Sequence, residues 1–123
     1  MKLQLNQGGD DPHFTGYGEG YVAVSGQRYE HSLLVIPGRA VERWQVAGFD
    51  ALTAADFDAL LELKPEIVVF GTGASLRFPR PEITGALAQA RIGLEVMDTR
   101  AACRTYNILL SEDRRVLAAI LVA

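Results

Sequence analysis

The sequence predicts an α/β protein built on a partly parallel sheet. Three observations carry that expectation. An apolar run, Glu66-Ile67-Val68-Val69-Phe70, ends at Gly71-Thr72-Gly73. A second, Leu94-Glu95-Val96-Met97, ends at Asp98-Thr99. Between them lies a helix-length amphipathic segment, with Ile83, Ala86, Leu87 and Ala90 at the i, i+3, i+4, i+7 spacing of one apolar helix face. Strand, helix and strand in one sheet imply a right-handed crossover and parallel strands. Both polar endings then fall on the same sheet edge, where open α/β sheets bind ligands.

The other elements follow in chain order. Gln7-Gly8-Gly9-Asp10-Asp11-Pro12 has loop chemistry. Gly16-Tyr17-Gly18-Glu19-Gly20 looks like a phosphate-binding loop, but its spacing is not G-x-G-x-x-G and a strand follows it, so a bulged or flexible strand entry is expected. Tyr21–Val24 reads as a short strand that turns at Ser25-Gly26. Arg28–Ile36 alternates at first and then turns continuously apolar, as in one strand with a half-exposed start and a buried end. Pro37-Gly38 suits the centre of a type II turn. Val41–Val46 alternates as a returning strand, with Glu42, Trp44 and Val46 on one face. Thr53 and Asp56 have capping-box spacing, Leu52 and Phe57 are placed for a hydrophobic staple, and Phe57, Leu60 and Leu61 give a helical stripe that Lys64-Pro65 stops. Pro79 and Pro81 introduce the second helix. A third, Thr99 to Leu110, buries Ala102, Tyr106, Leu109 and Leu110, and Arg115–Val122 closes the chain as a buried strand.

The 123 residues suit one α/β domain over residues 1–123. With 49% hydrophobic and 22% charged residues the composition is that of an ordinary globular protein. A net charge of -3, with the arginines scattered, argues against a nucleic-acid partner. Cys103 is the only cysteine, so no internal disulfide forms, and with two distant histidines, His13 and His31, no Cys/His zinc site is expected. Met1–Asn6 has neither the apolar core of a signal peptide nor the pattern of a transit peptide, and no stretch approaches the roughly 20 apolar residues of a membrane span. A cytoplasmic location is expected.

The candidate site lies at the strand ends: Thr72, Gly73, Asp98, Thr99, Arg104 and Asn107. Small residues after a strand let backbone N–H groups face an anion. Asp98 or Thr99 caps the third helix, whose positive dipole end points the same way. Arg100, Arg104 and Asn107 share one helix side, and Arg104 is the best placed for a bidentate carboxylate or phosphate contact. Each has a structural alternative. Gly-Thr-Gly also makes a tight strand exit, Arg104 also pairs with Asp98 or a surface carboxylate, Asp98 is more readily a cap than a base, Asn107 also caps a neighbouring backbone, and Cys103 fits a buried thiol better than a nucleophile.

Val69–Gly73, Arg77-Phe78-Pro79, Glu95–Thr99 and Ala102–Asn107, together with Tyr17-Gly18 and Ser32–Val35, resemble a family of uncharacterised proteins. That family includes bacterial and archaeal hypothetical proteins and the mitochondrial complex I assembly factor 3, with a related vertebrate branch associated with adipogenesis. The resemblance covers nearly the whole chain. It implies a three-layer α/β arrangement around a central mixed, partly parallel sheet, with an additional β-rich N-terminal portion. It implies no established enzymatic activity and no cofactor. Its mitochondrial members are non-catalytic assembly factors for respiratory NADH dehydrogenase that act with a second assembly factor. Arg91 and Arg100 depart from the pattern, standing where a smaller residue such as Gly is expected.

Two functions are compatible with these residues. The first, ranked higher, is a non-catalytic interaction protein with protein partners, for which an exposed apolar patch at Trp44 or Phe78 is the expected sign. The second is a site for a small anionic ligand, with or without catalysis, beside Gly73 and Arg104. A symmetric homodimer is the default oligomer.

Overall fold

The computed structural model describes residues 11–122. The N-terminal run Met1–Asn6 and the loop residues Gln7–Asp10 lie outside the described residues. Strands β1 (Phe14–Gly18), β2 (Tyr21–Val24) and β3 (Gln27–Tyr29) form an antiparallel sheet in that order. Strands β4 (Leu33–Val35), β5 (Glu42–Arg43), β6 (Ile67–Gly71), β7 (Gly93–Met97) and β8 (Val116–Ile120) form a mixed sheet, ordered β5-β4-β8-β6-β7. The helices are α1 (Ala54–Asp58), which continues as a 3-10 segment to Leu63, α2 (Pro81–Gln89) and α3 (Thr99–Ser111). Strand β6 pairs parallel with both β7 and β8, whereas β4 runs antiparallel to β8. The partly parallel sheet expected from the sequence is borne out.

Strand alternation divides two cores. Leu34, Val68, Phe70, Leu117 and Ala119 point to one face, where Phe57, Leu60 and Leu87 from the α1–α2 layer cover them. Leu33, Val35, Val69, Val116, Ala118 and Ile120 point to the other, under α3 and the small sheet, against Phe14, Val22, Val24 and Tyr106. Strands covered on both faces must be apolar throughout, and β4, β6 and β8 are. The result is three layers: helices, mixed sheet, and α3 beside the β-rich N-terminal sheet.

Local signals hold where they combine with burial. The Thr53 N–H donates to Asp56 Oδ2 at 2.8 Å, closing one half of the capping box. Lys64 turns left-handed at φ 53° and ends the first helix. Pro81 occupies the first turn of α2. Ser25 and Gly26, at φ 49° and 87°, have the paired positive φ of a type I′ hairpin.

Three expectations are corrected. Arg28–Ile36 is two strands in different sheets: Tyr29 pairs with Val22 of the small sheet and Leu33 with Ile120 of the large one. The switch from alternating to continuously apolar residues marks the change from a half-exposed sheet to a fully covered one. Val41–Val46 keeps only Glu42–Arg43 as strand, because the Val46 N–H turns back to the Trp44 carbonyl at 2.8 Å. Trp44 and Val46 are nonetheless buried, while Glu42 is exposed. The bulged strand entry expected at Gly16–Gly20 is borne out: Gly16–Gly18 belongs to β1, with a bulge between Phe14 and Gly16, and Glu19-Gly20 makes the two-residue turn to β2. In α2, Ala90 is exposed, because the helix has ended at Gln89.

Candidate functional site

The three parallel strands end in register, with Gly71 opposite both Met97 and Ile120. The ladder runs one step further: Thr72 N–H donates to Met97 O and Leu121 N–H to Gly71 O, both at 2.9 Å. Thr72, Gly73, Asp98 and Thr99 are thereby brought together at one rim. Their polar groups bond to the chain itself. Thr99 Oγ1 accepts the Gly73 N–H at 2.9 Å and donates to the Leu121 carbonyl at 2.6 Å, and the Thr99 N–H returns to the Gly73 carbonyl. This one side chain ties the loop after β6 to α3 and to the end of β8. Asp98 Oδ1 accepts the Ala101 N–H at 2.9 Å, as a helix N-cap does.

Asn107 and Arg104 lie further along α3 and face β1. The Asn107 amide makes two bonds to the backbone of Phe14, accepting from its N–H at 2.9 Å and donating to its carbonyl at 2.8 Å. Next to it, Tyr106 donates to the Pro12 carbonyl at 2.8 Å and meets the Phe14 ring edge-on. Arg104 is exposed and donates from Nη1 to the Tyr17 hydroxyl at 2.8 Å. Cys103 is buried, and burial pushes its thiol up to about 12, so it is protonated and inert at neutral pH.

The Thr72 hydroxyl shapes the loop that follows. It donates to the Ser75 carbonyl at 2.6 Å and accepts the Arg77 N–H at 3.2 Å. The Arg77 guanidinium lies 4.1 Å from the centre of the Phe49 ring and bonds Asp50 at 2.8 Å. That hydrogen bond and the Arg77 charge hold the Asp50 carboxyl below its ordinary range. Leu76, 49% exposed, lies between these anchors, and Phe78, 72% exposed, follows the second. Trp44, the other residue considered for an exposed patch, is 6% exposed and belongs to the core.

Residues that sequence reasoning did not assign to the site stand beside it. Tyr17, Glu19 and Tyr21 of the β1–β2 hairpin, with Arg100, Gly73 and Ala74, line a cleft of about 180 Å³. The glycine-interleaved aromatics of that hairpin were the available signal. The Tyr21 ring packs over Gly18: a Cβ there would lie 2.4 Å from Tyr21 Cε1 and displace the ring.

The family described as "Protein of unknown function (DUF498/DUF598)" matches residues 14–121. The chain belongs to this family. The resemblance read from the sequence is therefore borne out. DUF498/DUF598 relatives include bovine (Bos taurus) "NADH dehydrogenase [ubiquinone] 1 alpha subcomplex assembly factor 3", 32% identical over 89% of this chain and 60% of that protein. The chain thus spans about 60% of the length of the bovine protein. A Francisella tularensis subsp. holarctica relative named "13 kDa major membrane protein" is 28% identical over 88% of this chain and 89% of its own length. Among solved structures, a Bordetella parapertussis protein superposes with a TM-score of 0.85 at 38% identity, over 89% of this chain and 94% of that one. Among the described residues no helix is long and apolar enough to cross a membrane.

Proposed function

We propose that this DUF498/DUF598 protein is a non-catalytic interaction protein of the cytoplasm that serves the assembly of respiratory NADH dehydrogenase. The observation that carries the reading is the anchored loop with Phe78 72% exposed. An exposed aromatic on a mobile tail costs nothing to explain. Phe78 directly follows a loop tied down by Thr72 and Arg77, and exposed aromatic anchors dominate protein–protein binding energies. The bovine assembly factor supplies the direction of the proposal. The polar residues at the strand ends support it from the other side. Thr72, Gly73, Asp98, Thr99 and Asn107 all hold the fold together by hydrogen bonds, which leaves no aligned acid, base and nucleophile among them.

A deletion strain tests the role. Native gels of its membranes are expected to show less assembled NADH dehydrogenase, restored by the wild-type chain and not by Phe78→Ala. Unchanged enzyme levels in the deletion strain would contradict the proposal.

A further inference from the structure

We propose that Arg100, Arg104 and Tyr17 form a receptor for the carboxylates of an acidic segment on a protein partner. This rests on the interaction reading and names the chemistry of one side of that surface. Arg100 and Arg104 are both exposed and stand one turn apart on α3. Their guanidinium carbons lie 5.7 and 5.9 Å from the centre of the same Tyr17 ring, and Arg104 also holds the Tyr17 hydroxyl at 2.8 Å. Two like charges at this spacing repel. Among the described residues Arg28, Arg39, Arg77 and Arg114 each have a carboxylate partner, and neither Arg100 nor Arg104 does. Arg43, Arg80, Arg91 and Arg115 are likewise without one, but none of them shares an aromatic ring with another arginine. A chain of net charge -3 thus carries a local pair of arginines without an ion-pair partner among the described residues, both beside one tyrosine.

Guanidinium forks match carboxylates in geometry, and the Arg104 fork, already bonded to the Tyr17 hydroxyl, loses less further freedom on binding. The space beside them selects the kind of occupant. Arg100 borders the cleft of about 180 Å³, and Arg104 borders a second one of about 210 Å³ with Cys103 and Asn107. Sites that engulf small molecules run from about 300 to 1,000 Å³. These shallow clefts suit single side chains of a larger partner. Glu19 lines the first cleft, which favours entry of a carboxylate beside Arg104. Ala74 also lines the first cleft, and the loop it belongs to runs on to Leu76 and Phe78.

The test is fluorescence anisotropy of a fluorescein-labelled hexaglutamate peptide with the full chain at about 20 mM NaCl, where screening is weak. Wild type is expected to bind. The Arg100→Gln/Arg104→Gln double variant, with an unchanged melting temperature, is expected to bind about tenfold more weakly or less, while Arg91→Gln and Phe78→Ala bind as wild type. Equal binding by the double variant, or no binding by wild type, overturns the inference. Displacement of the peptide by equimolar phosphate or citrate overturns it in favour of a small-anion site. Binding to phosphatidylglycerol vesicles in place of the peptide overturns it in favour of a lipid surface. In each of these cases the Phe78 reading stands or falls separately, on its own deletion-strain assay.

Discussion

At the scale of single residues, the polar groups of the strand ends work for the fold. Thr99 is the clearest case, with its hydroxyl shared between the Gly73 N–H and the Leu121 carbonyl. Thr99→Val keeps the shape and strands both backbone groups in a buried place, so urea unfolding is expected to show a loss of about 2–4 kcal/mol. Cys103 gives a prediction of opposite character. Its thiol titrates near 9.0 when free and is pushed up to about 12 in the fold by burial. The folded chain therefore keeps a proton that the unfolded chain releases, and stability is expected to fall as pH rises from about 9 toward about 12. At pH near 8, iodoacetamide is expected to label Cys103 slowly in the native protein and rapidly in urea; rapid native labelling would contradict this. The residue types of the candidate site were legible in the sequence, but not their partners. Asn107 bonds Phe14, 93 positions away, and no local spacing encodes that pairing.

At the scale of elements, close packing of α3 on the parallel strands depends on Gly71. A Cβ there would sit 3.0 Å from Ala102 Cβ, Ile120 Cδ1 and Thr99 Oγ1. Gly71→Ala is expected to destabilise by about 1–3 kcal/mol through overpacking, read by the urea midpoint. A neutral substitution would mean that α3 moves away from β6 at little cost. The elements best read from sequence are those with a local cause: the Thr53/Asp56 cap, Pro81 at the start of α2, and the β6–α2–β7 crossover. Those read less well have a tertiary cause. Nothing between Tyr29 and Leu33 compels a break; the chain changes sheets because β2 takes one half and β8 the other. Likewise Trp44 goes inward because its ring meets Phe57 and Phe70 edge-on, at 5.8 and 6.0 Å, a contact assembled from three distant segments.

At the scale of the whole molecule, β8 is the last strand in sequence and the central one in space, between β4 and β6. Its apolar run revealed burial in the sequence, but position within a sheet is set by pairing. That order places the ends of β6, β7 and β8 at one rim, and the rim carries the Phe78 loop. The strand-end polar residues build this rim, and on the proposed function Phe78 is what a partner meets. Affinity purification from cells carrying the gene compares the two most directly, with wild type and Phe78→Ala at matched melting temperature. Since an exposed side chain contributes little to folding and an aromatic anchor about 2 kcal/mol or more to binding, recovery of NADH dehydrogenase components is expected to fall about tenfold or more in Phe78→Ala. Equal recovery by the two proteins would contradict the account.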